Sequence, residues 1–250
     1  MTKRYFSIIA LAFGLFVGGT SAVMAEEGPE LPPAGTNVRD TASLQRGAKL
    51  FFNYCVGCHS LKYVRYSRIA EDLGLSEQDV MDNLNFTGAK FGETVVSHMP
   101  EDSAKEWFGK APPDLSLEVR AKGQDWVFNY LNSFYLDPSR PVGWNNTVFA
   151  NASMPNPLWE LQGERRPVYT KVEQHGHETE VFKGWEQVTP GTLTPVQYDN
   201  AVGDLVSYLQ WMAEPAQNTR IRIGVWVLLF LAMSVVFVWR LNASYWKDVK

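Results

Sequence analysis

The chain has 250 residues, 45% of them hydrophobic, and only two cysteines. With an apolar run at each end set aside, residues 26–219 are enough for one core and carry 16 basic against 26 acidic side chains, a net charge of about −10. That sign excludes nucleic acid as a partner and suits a basic protein partner, although it serves solubility equally well.

The N-terminal stretch MTKRYFSIIALAFGLFVGGTSAVMAEEG opens on Lys3 and Arg4, runs apolar from Ile8 to about Val17, and closes on small residues up to Ala25. This is the pattern of an export signal, since the apolar run falls short of the ~18 residues of a membrane span. Residues 1–25 are therefore expected to be a signal peptide cleaved after Ala25, and residues 26–219 an exported domain.

The segment TASLQRGAKLFFNYC reads as an amphipathic helix with Leu44, Leu50, Phe51 and Tyr54 as apolar contacts. It leads into NYCVGCHSLK, which holds both cysteines, Cys55 and Cys58, with His59 directly after them. A disulfide here would close a tiny loop and restrain little of the unfolded chain. A thioredoxin-like dithiol does not need the histidine. Zinc would need a second unit of ligands that His98, His175 and His177 do not form. Cys-x-x-Cys-His in an exported chain instead specifies attachment of a c-type haem. Thiols three residues apart can meet the two vinyl groups on one porphyrin edge, and the next imidazole can bind the iron.

The sixth iron position decides the chemistry: a thioether makes an electron carrier of raised potential, whereas an open position allows peroxidase reactions. Met233 lies in the C-terminal apolar run, and Met81 and Met212 lie in helix-like segments where packing is the common role. Met99 and Met154 each precede a proline, which fixes backbone direction. In SHMPED, Met99 is followed by Glu101 and Asp102, which suggests a solvated loop. In NASMPNPLWE, Met154 is followed by Pro155, Pro157, Leu158 and Trp159, which suggests an apolar wall. Met154 is therefore the expected axial ligand and Met99 the alternative, with His98 read as an exposed loop histidine.

The segment KAPPDLSLEVRAKGQDWVFNYL holds a turn at Pro112 and Pro113, a helix start at Asp114 to Ser116, and an amphipathic stretch through Arg120 to Leu131. Arg120 is the guanidinium best suited to grip a haem propionate with two parallel hydrogen bonds, against the plainer reading of an exposed helix arginine. Pro113 is grouped with the haem-binding residues. Next, ERRPVYTKVEQHGHETEVFKGWEQV alternates in places and is expected to form a short β hairpin with turns near Gly176 and Gly184. His175 and His177 belong to that solvated turn. The segment TPVQYDNAVGDLVSYLQWMAEP reads as a helix ending at Pro215.

The last element is an uncharged run from Ile223 to Trp239 between Arg222 and Arg240, with Trp226, Trp239, Tyr245 and Trp246 near its ends. Its 17 residues rise about 26 Å, close to the ~30 Å bilayer core. Residues 220–242 are expected to be a single transmembrane anchor, and 243–250 a short basic tail left in the cytoplasm by export of the rest.

Taken together, CVGCHSLKYVRY, APPDLSLEVRAKGQDWVFNYL, ASMPNPLW and the single C-terminal anchor resemble cytochrome c1, the haem subunit of the cytochrome bc1 complex, over nearly the whole mature chain. The Pro-Pro-Asp-Leu-Ser block with the later Met-Pro is the specific part. The resemblance implies a mainly α, class-I-like cytochrome c domain with insertions. It implies haem c held through Cys55 and Cys58, axial ligands His59 and Met154, and Arg120 near a propionate. Electrons would come from the Rieske iron–sulfur protein and leave to a cytochrome c, beside cytochrome b in an inner membrane, with the haem domain on the periplasmic side. Trp126 departs from the tyrosine often present in the family.

Overall fold

The computed structural model describes residues 31–174 and 177–248. The expected signal peptide and the turn at His175 and Gly176 lie outside the described residues. In chain order the elements are α1 (Thr41–Tyr54), β1 (Leu61–Arg65), α2 (Tyr66–Leu73), α3 (Glu77–Asn83), β2 (Thr94–Val95), α4 (Glu101–Phe108), α5 (Glu118–Lys122) and α6 (Gln124–Leu131). They continue with β3 (Phe134–Leu136), β4 (Trp144–Asn146), α7 (Trp159–Gln162), β5 (Gly163–Gln174), β6 (His177–Pro190), α8 (Pro195–Ala213) and α9 (Gln217–Tyr245). About half of the described residues are helical, and the strands form three antiparallel pairs, β1–β2, β3–β4 and β5–β6.

The core is built where α1 packs on α8. The Asp40 carboxylate caps α1 by accepting the amides of Ala42 and Ser43, satisfying donors that the first turn leaves open. Helical spacing then lines up Leu44, Gly47, Ala48, Phe51 and Phe52 on the buried face. Leu50 and Tyr54 lie only at the edge of the core, because Ala48 and Phe52 hold the centre of the stripe. Phe51 meets Phe52 edge-on at 5.4 Å and Tyr208 of α8 at 5.9 Å, and Tyr208 in turn meets Trp211 at 5.7 Å. Burial of each such ring contributes about 2–3 kcal/mol. The approach is close because residue 47 is glycine: a Cβ there would lie 2.1 Å from the Asp204 carbonyl oxygen. Helix α8 opens with a capping box between Thr194 and Gln197, has Pro195 in its first turn, and stops at Ala213, two residues short of the expected end at Pro215.

Three local expectations change. The amphipathic stretch from Arg120 to Leu131 is two helices rather than one, since Gly123 has φ 88° and ends α5 before α6 begins. Glu101 and Asp102 after Met99 are solvated as expected, but they form the first turn of α4 rather than a loop. The hairpin spans Gly163–Gln174 and His177–Pro190, with Gly184 inside its second strand opposite Val168, beside a register shift, instead of at a turn.

Helix α9 extends a few residues beyond the expected span at both ends, and none of its most apolar window is buried in the protein. A mean hydropathy of 2.5 over that window and a length of 29 residues, a rise of about 43 Å, fit a helix whose solvent is lipid.

Candidate haem-binding site

The attachment motif forms the exit of α1. The amides of Cys55 and Val56 bond the Phe51 carbonyl at 2.8 and 3.1 Å, and those of Cys58 and His59 bond the Cys55 carbonyl at 3.0 and 2.8 Å. These bonds set Cys55, Cys58 and His59 within one tight turn of the chain. The thiols are not joined as a disulfide. Burial pushes the Cys55 thiol up to about 12, with Cys58 adding to it, and burial raises Cys58 as well. His59 is buried, and loss of water holds its imidazole below its ordinary value, in the neutral form that binds metals. Its Nδ1 lies 2.8 Å from the Pro113 carbonyl oxygen. A carbonyl can only accept, so Nδ1 carries the hydrogen and Nε2 keeps its lone pair.

Pro113 is thus brought to the site by its main chain. The following residues lace that segment onto the strand leaving the motif. The Leu115 amide bonds Ser60 O at 2.9 Å, the Lys62 amide bonds Asp114 Oδ2 at 2.9 Å, and the Tyr63 amide bonds buried Ser116 Oγ at 3.2 Å. Another segment holds the loop as well: Ser97 Oγ donates to Gly57 O at 2.8 Å, and the Ser97 amide donates to Ser60 Oγ at 2.8 Å. Met99, whose amide bonds Ser97 Oγ at 3.2 Å, belongs to this segment.

Met154 lies in the loop between β4 and α7, packed half-buried against the core. Asparagines build that loop. Buried Asn146 donates from Nδ2 to Tyr130 O at 2.7 Å, and its Oδ1 accepts the amides of Val148 and Phe149. Asn145 Oδ1 accepts the Asn151 amide at 2.8 Å, and buried Asn156 receives the Leu158 amide at 3.0 Å. The phenol of Tyr130 donates to Met154 Sδ at 3.6 Å. Burial pushes Tyr130 up to about 12, so it stays protonated near neutral pH. Trp126 stacks on the Tyr130 ring at 5.0 Å, 8° from parallel, with the Lys122 ammonium 5.3 Å from the indole centre.

Arg120 is exposed and points at a carboxylate of the protein: its Nη1 lies 3.8 Å from Glu214 Oε2, while Glu214 Oε1 bonds Arg220 Nε at 2.6 Å. Arg120 and Glu214 flank an open cavity of about 320 Å³ that also meets Gln124, Gln210 and Gln217. The Arg220 guanidinium holds the Glu214 carboxyl below its ordinary range, with Arg120 adding to it. Met212 is buried in the core, Met81 packs against it, and Met233 lies exposed on α9.

The donor set fits a c-type haem: two unpaired thiols for thioether bonds, a neutral imidazole with Nε2 open, and a thioether on a separate, rigid loop. Large apolar side chains on the same segments remain 45–52% exposed, namely Leu117, Phe149 and Trp159, as surface that a flat apolar ring system would cover. Among the described residues no three of His, Cys, Asp and Glu converge as a bare metal ion would require.

Tyr130, Asn145, Asn146 and Asn156 are not singled out by the sequence reading. The signal available was an asparagine-rich run around Met154, since asparagine side chains replace main-chain partners in turns. Tyr130 gave less notice, as an ordinary helical tyrosine four residues after Trp126.

Residues 35–249 match the model of the Cytochrome C1 family. The chain is 44% identical to cytochrome c1 of Allochromatium vinosum over 96% of its own length and 98% of the relative's. It is 38% identical to a Nitrosomonas europaea protein named ammonia monooxygenase gamma subunit, over 98% of this chain and 97% of that one. It is 26% identical to cytochrome b/c1 of Bradyrhizobium diazoefficiens, over 96% of this chain and 39% of that longer protein. A Cys-x-x-Cys-His turn backed by a proline carbonyl, a methionine loop, an apolar anchor and a family match across nearly all of the chain agree, and the chain belongs to the cytochrome c1 family.

Proposed function

We propose that this bc1-type haem electron-transfer subunit takes electrons from a Rieske iron–sulfur protein and passes them through one covalently bound haem c to a cytochrome c acceptor. Cys55 and Cys58 carry the thioether bonds, His59 and Met154 are the axial ligands, and Arg120 serves a propionate by turning from Glu214, from which its Nη1 lies 3.8 Å. The observation that carries this reading is the 2.8 Å bond from His59 Nδ1 to Pro113 O beside the two thiols, which leaves Nε2 as the free donor. Met154 is favoured over Met99 because Met99 belongs to a segment bonded to the attachment turn itself, whereas Met154 comes from a different loop.

The layout follows. Residues 1–25 direct export, 26–219 stand on the periplasmic side of the inner membrane, 220–242 cross it, and 243–250 face the cytoplasm. Cytochrome b, whose name is joined to that of c1 in the Bradyrhizobium relative, is the expected membrane neighbour. The chain's own residues hold geometry: the Pro113 carbonyl fixes the imidazole tautomer, and the Asn145–Asn146 network fixes the methionine loop. A donor set that keeps its shape in both oxidation states lowers the cost of gaining and losing an electron. The acidic domain draws in a basic acceptor.

The test is purification from native membranes in mild detergent. Cytochrome b and an iron–sulfur subunit should come with the protein, and the far-red absorption of a thioether-ligated ferric haem should disappear in Met154→Leu. Survival of that band in Met154→Leu and its loss in Met99→Leu would overturn the ligand assignment. A second reading, favoured by the 38% identical relative, is a membrane-anchored cytochrome c that serves a different oxidase or reductase; partners other than cytochrome b in the same purification would establish it.

A further inference from the structure

We propose that Tyr130 is a positioning residue that sets the balance between the two oxidation states through Met154. This rests on the reading of Met154 as an axial ligand. A thioether sulfur has two lone pairs, so one can face iron while the other accepts the Tyr130 phenol at 3.6 Å. A hydrogen bond on the second pair draws electron density from the first and aims the positive end of the O–H dipole toward the metal. Both effects disfavour the more positively charged, oxidised form. The phenol is held for this task. Its ring is stacked on Trp126 at 5.0 Å and set edge-on against Phe134 at 5.0 Å, and its main-chain carbonyl is tied at 2.7 Å to Asn146, the last residue of β4 before the loop that carries Met154. Tyr130→Phe removes only the donor and leaves those ring contacts in place.

The experiment measures the midpoint potential and the far-red band of Tyr130→Phe in the intact membrane complex, with Met154→Leu alongside. The expected result is a retained band with the reduced-to-oxidised ratio at fixed potential falling about tenfold, which is 59 mV downward for one electron. A retained band with the ratio within about twofold of the parent, or shifted upward, overturns the inference. Loss of the band in Tyr130→Phe also overturns it, since Tyr130 would then be holding the ligand in place rather than tuning it. Persistence of the band in Met154→Leu identifies failure of the underlying ligand reading instead.

Discussion

Gly47 of α1 faces the main chain of Asp204 on α8 so closely that a methyl group on its α-carbon would lie 2.1 Å from the Asp204 carbonyl oxygen and 2.7 Å from Tyr208 Cβ. The same two helix turns are joined by side chains: Ser43 Oγ donates to Asp204 Oδ1 at 2.6 Å, and Arg46 bonds both carboxylate oxygens at 2.5 and 3.0 Å. Close approach and a forked ion pair therefore fix one crossing of the helices that frame the attachment motif.

Gly47→Ala should destabilise the domain by about 3 kcal/mol even though alanine favours helix by about 1, because main-chain atoms cannot move aside as a side chain can. Chemical denaturation of the detergent-solubilised protein checks this. Gly57→Ala, with no protein atom within 4 Å of its added methyl, should be neutral to protein stability.

Asp204→Ala leaves the buried Ser43 hydroxyl without its acceptor and Arg46 without its fork. The expected loss is about 2 kcal/mol by the same measurement, most of it from Ser43, since the exposed guanidinium can turn to water.

Asn146→Ala strips partners from the Tyr130 carbonyl and from the Val148 and Phe149 amides at a residue that is almost wholly buried. A loss of about 3 kcal/mol is expected. Because the residue shapes the loop before Met154, the far-red band should weaken well below the unfolding midpoint, with an exogenous ligand such as imidazole binding more readily.

Glu214 joins Arg120 to Arg220 at the start of the anchor helix. Its carboxyl titrates lower folded than unfolded, so its contribution to stability is fully present above the ordinary value of 4.5 and is lost as pH falls through the lowered one. Glu214→Gln should therefore weaken the protein at neutral pH and make no difference in strong acid. A stability difference that stayed constant across this range would contradict the sign.

Both thiols should be consumed in the mature protein. After unfolding, an alkylating reagent should add no mass to peptides containing Cys55 or Cys58, and each should carry the mass of a shared porphyrin. Cys58→Ala should leave a single thioether, visible as a shift in the reduced absorption spectrum.

Residue order alone was enough for the parts whose physics is local. Cys55, Cys58 and His59 sit within one turn, where spacing alone dictates what they can reach together. The apolar length of the last helix and its flanking arginines needed no partner to be read, because the membrane responds to composition. The rest depended on the folded chain. Pro113 meets His59 across 54 residues through a carbonyl, a group every residue carries and no sequence pattern marks. Tyr130 finds Met154 because asparagines far from the attachment motif bend one loop back onto α6. Gly123 stops a helix that the periodicity would have carried through, and Arg120 turns to a carboxylate on a segment 94 residues away. Each of these depends on which surfaces the folded chain presses together, and such contacts are chosen by packing across the whole core rather than by neighbours in sequence.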